Sequence, residues 1–186
     1  MIICLLVKGA GIHAEGSIHR GLLFGFNSST FTGSDQTLED NCYLPGVTLG
    51  MYQVVDLSGR FFLEQDLSFT TKGSRLRTIG DLYLHQVVIY MELPLLAGWN
   101  INPGNKATAF LSVGPTIGLL LLAFNEIGFP EETARFDMGA QLGIGLRWER
   151  FRIGLHVNQG LLDQDRSSSA TCVKNRTLSF TLGLFF

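Results

Sequence analysis

The sequence predicts an all-β fold, an eight-stranded antiparallel up-and-down transmembrane β-barrel. Three observations carry this. Apolar residues recur at every second position in eight segments, the links between segments alternate between tight and long, and the face between the apolar positions is small and polar. Strict alternation gives a strand with one apolar face, whereas a helix would spread the same residues around its circumference. The chain has 186 residues, enough for one domain. Its charged residues make up 16%, against about 25% in an ordinary soluble domain. At 46% hydrophobic it is too apolar to be disordered. Yet no stretch reaches the ~18 apolar residues of a membrane-spanning helix. The longest run, Ile117–Phe124, is broken by Gly118. Fourteen Lys+Arg against sixteen Asp+Glu give net −2, which excludes a basic face for nucleic acid.

The first strand is read over Arg20–Asn27, before a Ser/Thr-rich stretch. Val47, Leu49 and Met51 mark the second, alternating with Thr48, Gly50 and Tyr52. Leu63, Leu67 and Phe69 mark the third, with Glu64, Asp66, Ser68 and Thr70 between. The fourth has Ile89, Met91, Leu93, Leu95 and Ala97 against Tyr90, Glu92, Pro94 and Leu96. The fifth has Leu111, Val113, Pro115, Ile117 and Leu119 against Ser112, Gly114, Thr116 and Gly118. The sixth runs from Phe136 to Trp148, the seventh from Phe151 to Val157 and the eighth from Leu178 to Phe186, all in clean period two. Pro94 and Pro115 require bulges or rim positions, because proline cannot donate to a ladder.

Asp56–Gly59, Asn102–Asn105 and Glu149–Arg150 carry tight-turn residues. The other links are expected to be long, at Ser28–Leu44, Gly73–Tyr83, Ala123–Ala134 and Leu162–Val173. A meander with its tight turns at one end has this pattern, and membrane barrels show the same asymmetry. Alternation does not say which face points inward. A soluble or periplasmic lipocalin-like barrel would line its cavity with the apolar set and bind a hydrophobic ligand. Its outer surface would then carry dense Lys and Glu. The second face here is instead Gly, Ser, Thr, Asn and Gln, which suits a crowded lumen. The apolar set therefore faces lipid.

The stretches Tyr90–Ala97 (YMELPLLA), Val113–Leu122 (VGPTIGLLLL), Phe136–Leu146 (FDMGAQLGIGL) and Leu178–Phe186 (LSFTLGLFF), with Leu63–Gly73 (LEQDLSFTTKG), carry a resemblance. From about Ile18 onward the chain resembles the outer-membrane β-barrel domain family that includes PorT-like proteins, among the OmpX- and OmpA-like eight-stranded barrels. The resemblance implies the outer membrane of a Gram-negative bacterium, outer-membrane lipid as surroundings, and no shared catalytic motif. It implies that Phe186 resembles the terminal signal read by the barrel-assembly machinery. By analogy with PorT it also implies an envelope or secretion-system protein as partner.

The lumen-facing parity collects Glu64, Asp66, Glu92 and Asp137 against Arg147, Arg152 and His156. They read either as a proton path or polar-ligand site, or as a charge network that fills and stiffens the lumen. The network is favoured because eight strands leave little channel and buried charges must be paired. A lipid hydrolase would need His and Ser on the lipid face, and His156 has lumen parity. The histidines are dispersed, so no metal or other cofactor is expected. Cys42 and Cys172 end the first and last long links, on strands that closure makes neighbours. They read as a seam-closing disulfide or as two thiols that never meet. Residues 1–16 read as a signal-peptide remnant or a disordered leader before a barrel at 17–186. The function expected is non-enzymatic: structural, surface-interacting or accessory to secretion.

Overall fold

The structure is a computed structural model that describes residues 17–33, 42–57, 59–78, 82–125, 135–162 and 173–186. Eight strands close one barrel: β1 (Ile18–Gly33), β2 (Cys42–Asp56), β3 (Phe61–Thr78), β4 (Leu82–Asn100), β5 (Ala107–Asn125), β6 (Phe136–Trp148), β7 (Phe151–Gly160) and β8 (Val173–Phe185). Each strand pairs antiparallel with the next, and β1 pairs with β8 from Gly21–Phe185 to Gly33–Val173. Closure leaves no open edge, the condition for a sheet to sit in hydrocarbon.

The tight links form as their residues dictate. Trp148 and Phe151 pair directly, so Glu149–Arg150 is a two-residue hairpin with Glu149 at φ 50°. Between β4 and β5, Asn102 Nδ2 donates to the Ala107 carbonyl at 3.0 Å, while Asn102 Oδ1 accepts from the Ala109 N–H at 2.7 Å. Gly104 in the same link takes φ 88°, a region costly for any residue with a Cβ.

Three of the four expected long links are shorter than the sequence suggested, and the one between β7 and β8 keeps its length. β1 continues to Gly33, β5 continues to Asn125, and the β3–β4 ladder runs on to the Thr78–Leu82 pair. Only residues 79–81 separate those two strands. The reason is physical: backbone ladders continue past the membrane, where alternation stops because neither face meets lipid. The leader at 1–16 and the Cys42–Cys172 pairing lie outside the described residues, since Cys42 opens β2 but Cys172 is not among them.

Two irregularities set the strand faces. The β2–β3 register shifts between Tyr43 and Thr48, around Pro45 and Gly46. There the Thr71 hydroxyl accepts from the Val47 N–H at 2.7 Å. The β4–β5 register shifts between Ile89 and Tyr90, which leaves Leu121 as the extra residue. Outward parity therefore moves from Leu119 to Leu122 and Phe124. The β4–β5 ladder lapses between the Pro94–Thr116 and Ala97–Val113 pairs, close to both prolines.

Burial settles the facing. Leu142 is 58% exposed on the outer wall and Glu64 is 1% exposed in the lumen, and the other strands follow the same division. The apolar set faces out, which rejects the lipocalin-like alternative. On β4 the outward apolar positions run from Ile89 to Trp99, eleven residues, within the span of ~9–11 for a strand crossing the bilayer.

Candidate functional site

Charged groups converge in the lumen, which is filled in three tiers. At the short-link end Tyr52, Phe62, Phe110 and Phe185 form an apolar cluster with Leu23 and Val54. Tyr52 and Phe185 meet edge-to-face at 5.0 Å, and Phe62 and Phe110 at 5.8 Å. Glycines on nearby strands make the room. A Cβ at Gly183 would lie 2.6 Å from Tyr52 Oη, and one at Gly145 would lie 2.5 Å from the Phe110 ring. Two guanidiniums sit against these rings. Arg147 lies 4.9 Å from the Phe62 centroid, and Arg152 lies 4.5 Å from Phe110 and 5.4 Å from Tyr52. Such stacking suits Arg because its planar cation keeps its in-plane donors free.

Those donors span the barrel. Arg152 on β7 grips Glu64 on β3 through both nitrogens, Nη1 to Oε1 and Nη2 to Oε2, the latter at 2.6 Å. The two strands lie four apart in a ring of eight, so the pair crosses the full diameter. Arg147 on β6 reaches Asp56 on β2 at 3.3 Å, again four strands away. Bidentate geometry offsets the cost of burying both charges.

The middle tier adds hydroxyls, amides and one imidazole to the Glu64–Arg152 pair. Gln141 Nε2 donates to His156 Nδ1 at 3.2 Å, which leaves His156 Nε2–H to donate to Thr181 Oγ1 at 3.1 Å. Thr181 passes the chain on to the Gly154 carbonyl at 3.4 Å. Asn27, Thr48 and Thr70 form a second chain across β1, β2 and β3, with both links at 3.2 Å. Asp66 lies one inward position above Glu64, beside a space of about 40 Å³ shared with Arg152 and His156. A space this small holds at most a few waters.

In the upper tier Lys72 Nζ donates to Glu92 Oε1 at 2.5 Å and lies 5.6 Å from the Tyr90 ring. Asp137 is buried on β6, opposite Gly118 in the ladder. The charged residues singled out from sequence thus all line the lumen, but in separate tiers. Glu64, Asp66, Arg152 and His156 come together in the middle, Arg147 sits below them, and Glu92 and Asp137 sit above. Sequence reasoning missed Lys72, although the third-strand stretch Leu63–Gly73 contains it, and Asp56, which it read as turn. It placed Tyr52 and Phe185 on the inner parity without seeing a plug. The available signal was a bulky ring on polar parity close to a short link. Among the described residues no three His, Cys, Asp or Glu side chains converge as a metal site.

The sequence matches the family model for the outer membrane protein beta-barrel domain over residues 13–166. No curated protein sequence matches the chain. Among solved structures it is similar to Ail, the attachment invasion locus protein of Yersinia pestis, solved with the heparin analogue sucrose octasulfate. That likeness has TM-score 0.53 at 18% identity and covers 92% of this chain and 99% of that one. OprG, an outer membrane protein of Pseudomonas aeruginosa, gives TM-score 0.59 at 10% identity over 90% of this chain and 96% of that one. Neisserial surface protein A gives 0.51 at 8% identity over 89% and 97%. At these identities the likeness is one of fold.

Proposed function

The chain belongs to the outer membrane protein beta-barrel domain family, and on that premise we propose that it is a non-enzymatic barrel that holds its outer links at the cell surface for interaction. It resides in the outer membrane of a Gram-negative bacterium. The observation that carries the reading is the plugged lumen: a ring cluster at one end, and an Arg152–Glu64 pair across the diameter. A barrel so filled is an anchor rather than a conduit. Several strands, β3, β4 and β5 among them, also continue past the apolar band on the outer side. Loops on a rigid scaffold are where binding usually resides. On this reading its partners are outer-membrane lipid, the barrel-assembly machinery at insertion, with outward Phe186 as a residue it reads, and an envelope or secretion-system protein.

The test has two arms. Reconstituted protein should pass no ion current above the bilayer background. Trimming residues 34–41 and 163–172 to short Gly-Ser links should leave folding intact and remove the binding of producing cells to surfaces. Stable conductance steps would contradict the anchor reading, and full surface binding by the trimmed chain would contradict the surface role.

A further inference from the structure

The apolar band on the outer wall is not equally tall all round the barrel. On β6 every outward residue from Phe136 to Trp148 is apolar, a run of 13 residues. On β1 and β2, which stand opposite β5 and β6 in the ring, the unbroken runs are short. They hold Leu22, Phe24 and Phe26 on β1, and Val47, Leu49 and Met51 on β2. A tilted strand gains about 2.5 Å of height per residue, so the band is roughly 30 Å tall on β6 and roughly 10 Å on β1 and β2.

Polar rows close the short runs from both ends. Below, Arg20, Gln53 and Gln65 are successive register partners on β1, β2 and β3, all on outward parity. Arg20 Nε donates to Gln53 Oε1 at 3.2 Å. The next outward row down, Ile18, Val55 and Leu63, already adjoins the short link after Asp56. Above, Ser28 ends the run on β1, and Gln159 pairs with Arg176 across β7 and β8. Arg176 Nε donates to Gln159 Oε1 at 2.9 Å. Each row is thus stitched by one arginine–glutamine bond, and each keeps an exposed guanidinium.

Guanidiniums and amides at these heights call for water or headgroups rather than hydrocarbon. Tilting the barrel would carry one row toward the headgroups and push the other deeper, so it cannot serve both. A second copy is not called for either. The glutamine oxygens of both rows are held within the wall, and apolar walls in lipid have no hydrophobic drive toward each other. What meets both rows is a bilayer that narrows.

We propose that the bilayer is thinned locally along β1 and β2, with both headgroup layers drawn in to the two polar rows, while the β6 wall meets a bilayer of ordinary thickness. The barrel then holds a step in membrane thickness, and its thin side fits lipids with short or disordered acyl chains.

The test places one tryptophan at the middle of the run on each wall, Phe24→Trp or Leu142→Trp, in a chain that also carries Trp99→Phe and Trp148→Phe. Each is refolded into bilayers brominated either near the headgroups or near the chain ends, and a mobility shift on boiling shows that it is folded. Bromine near the headgroups should quench Phe24→Trp about twofold more than Leu142→Trp, with the reverse order for bromine at the chain ends. Adding Arg20→Leu, Gln53→Leu and Gln65→Leu, which removes the lower row, should move the Phe24→Trp pattern toward that of Leu142→Trp. Ala140→Leu, an apolar addition on the tall wall, should leave it unchanged. Equal patterns at the two sites, or a Phe24→Trp pattern that the three leucines do not move, would overturn the proposal. So would a Phe24→Trp indole that neither bromine reaches while Leu142→Trp is quenched, the result for a wall covered by a second copy. If neither site is quenched, the outward facing itself fails, and the proposal with it.

Discussion

On the outer face of β6, Met138, Leu142, Ile144 and Leu146 are 39–58% exposed and have fluid hydrocarbon as their neighbour. On the inner face of β3, Glu64, Asp66, Ser68 and Thr70 are at most 5% exposed, and two of them have named partners on other strands. Both faces belong to one closed sheet. A residue whose neighbour is lipid is constrained in class, since every apolar side chain gains transfer free energy in proportion to the area it presents, whatever its shape. A residue whose partner is a side chain on the far wall is constrained in identity. The lumen therefore specifies the barrel, and the lipid face only admits it to the membrane.

The largest effect that would break this contrast is in the lumen. Glu64→Gln leaves the Arg152 guanidinium buried without its counter-charge and should cost about 3–5 kcal/mol, read as the unfolding midpoint in urea after refolding into lipid vesicles. Replacing both, Glu64→Leu with Arg152→Leu, should recover much of that loss, because the penalty lies in the orphaned charge. Next is a change of class on the outer face. Leu142→Arg should cost about 2–4 kcal/mol if its depth is the midplane, measured in the same assay. Unimpaired insertion of this variant and of Leu155→Arg would reject the facing. Overpacking the plug comes third: Gly183→Val drives a side chain into Tyr52 and should cost about 1–3 kcal/mol. The smallest effect sharpens the contrast from the other side. Leu142→Ile should stay within about 0.5 kcal/mol, because hydrocarbon does not distinguish the two.

That contrast also explains what the sequence discloses. The outer face was legible because lipid imposes period two on every strand it touches, and Phe136–Trp148 shows the pattern residue by residue. Strand count and order followed from it, and facing from the small, polar residues of the other face. The inner residues could be placed by parity, but their partners could not be read. Arg152 finds Glu64 rather than Asp66 because of strand register and stagger, which no local pattern encodes. The extra reach of β3, β4 and β5 was illegible for the opposite reason. Beyond the membrane neither face is apolar, so Gly73–Thr78 and Leu82–Tyr83 read as loop although the ladder continues through them. Leu119–Leu122 broke the alternation, and the bulge at Leu121 accounts for it. Lys72 escaped because the apolar alternation that marks the third strand ends at Phe69, so no parity was assigned beyond Thr70.

The outward facing of the apolar set is the claim on which all of this depends, and the chain's two tryptophans report on it. Trp99 on β4 and Trp148 on β6 both stand exposed on the outer wall. The decisive measurement is tryptophan emission after refolding into bilayers whose acyl chains carry bromine at shallow positions, compared with unbrominated lipid. Strong quenching by the brominated lipid is the expected result. Blue-shifted emission that bromine leaves untouched would place the indoles inside, and the apolar set with them.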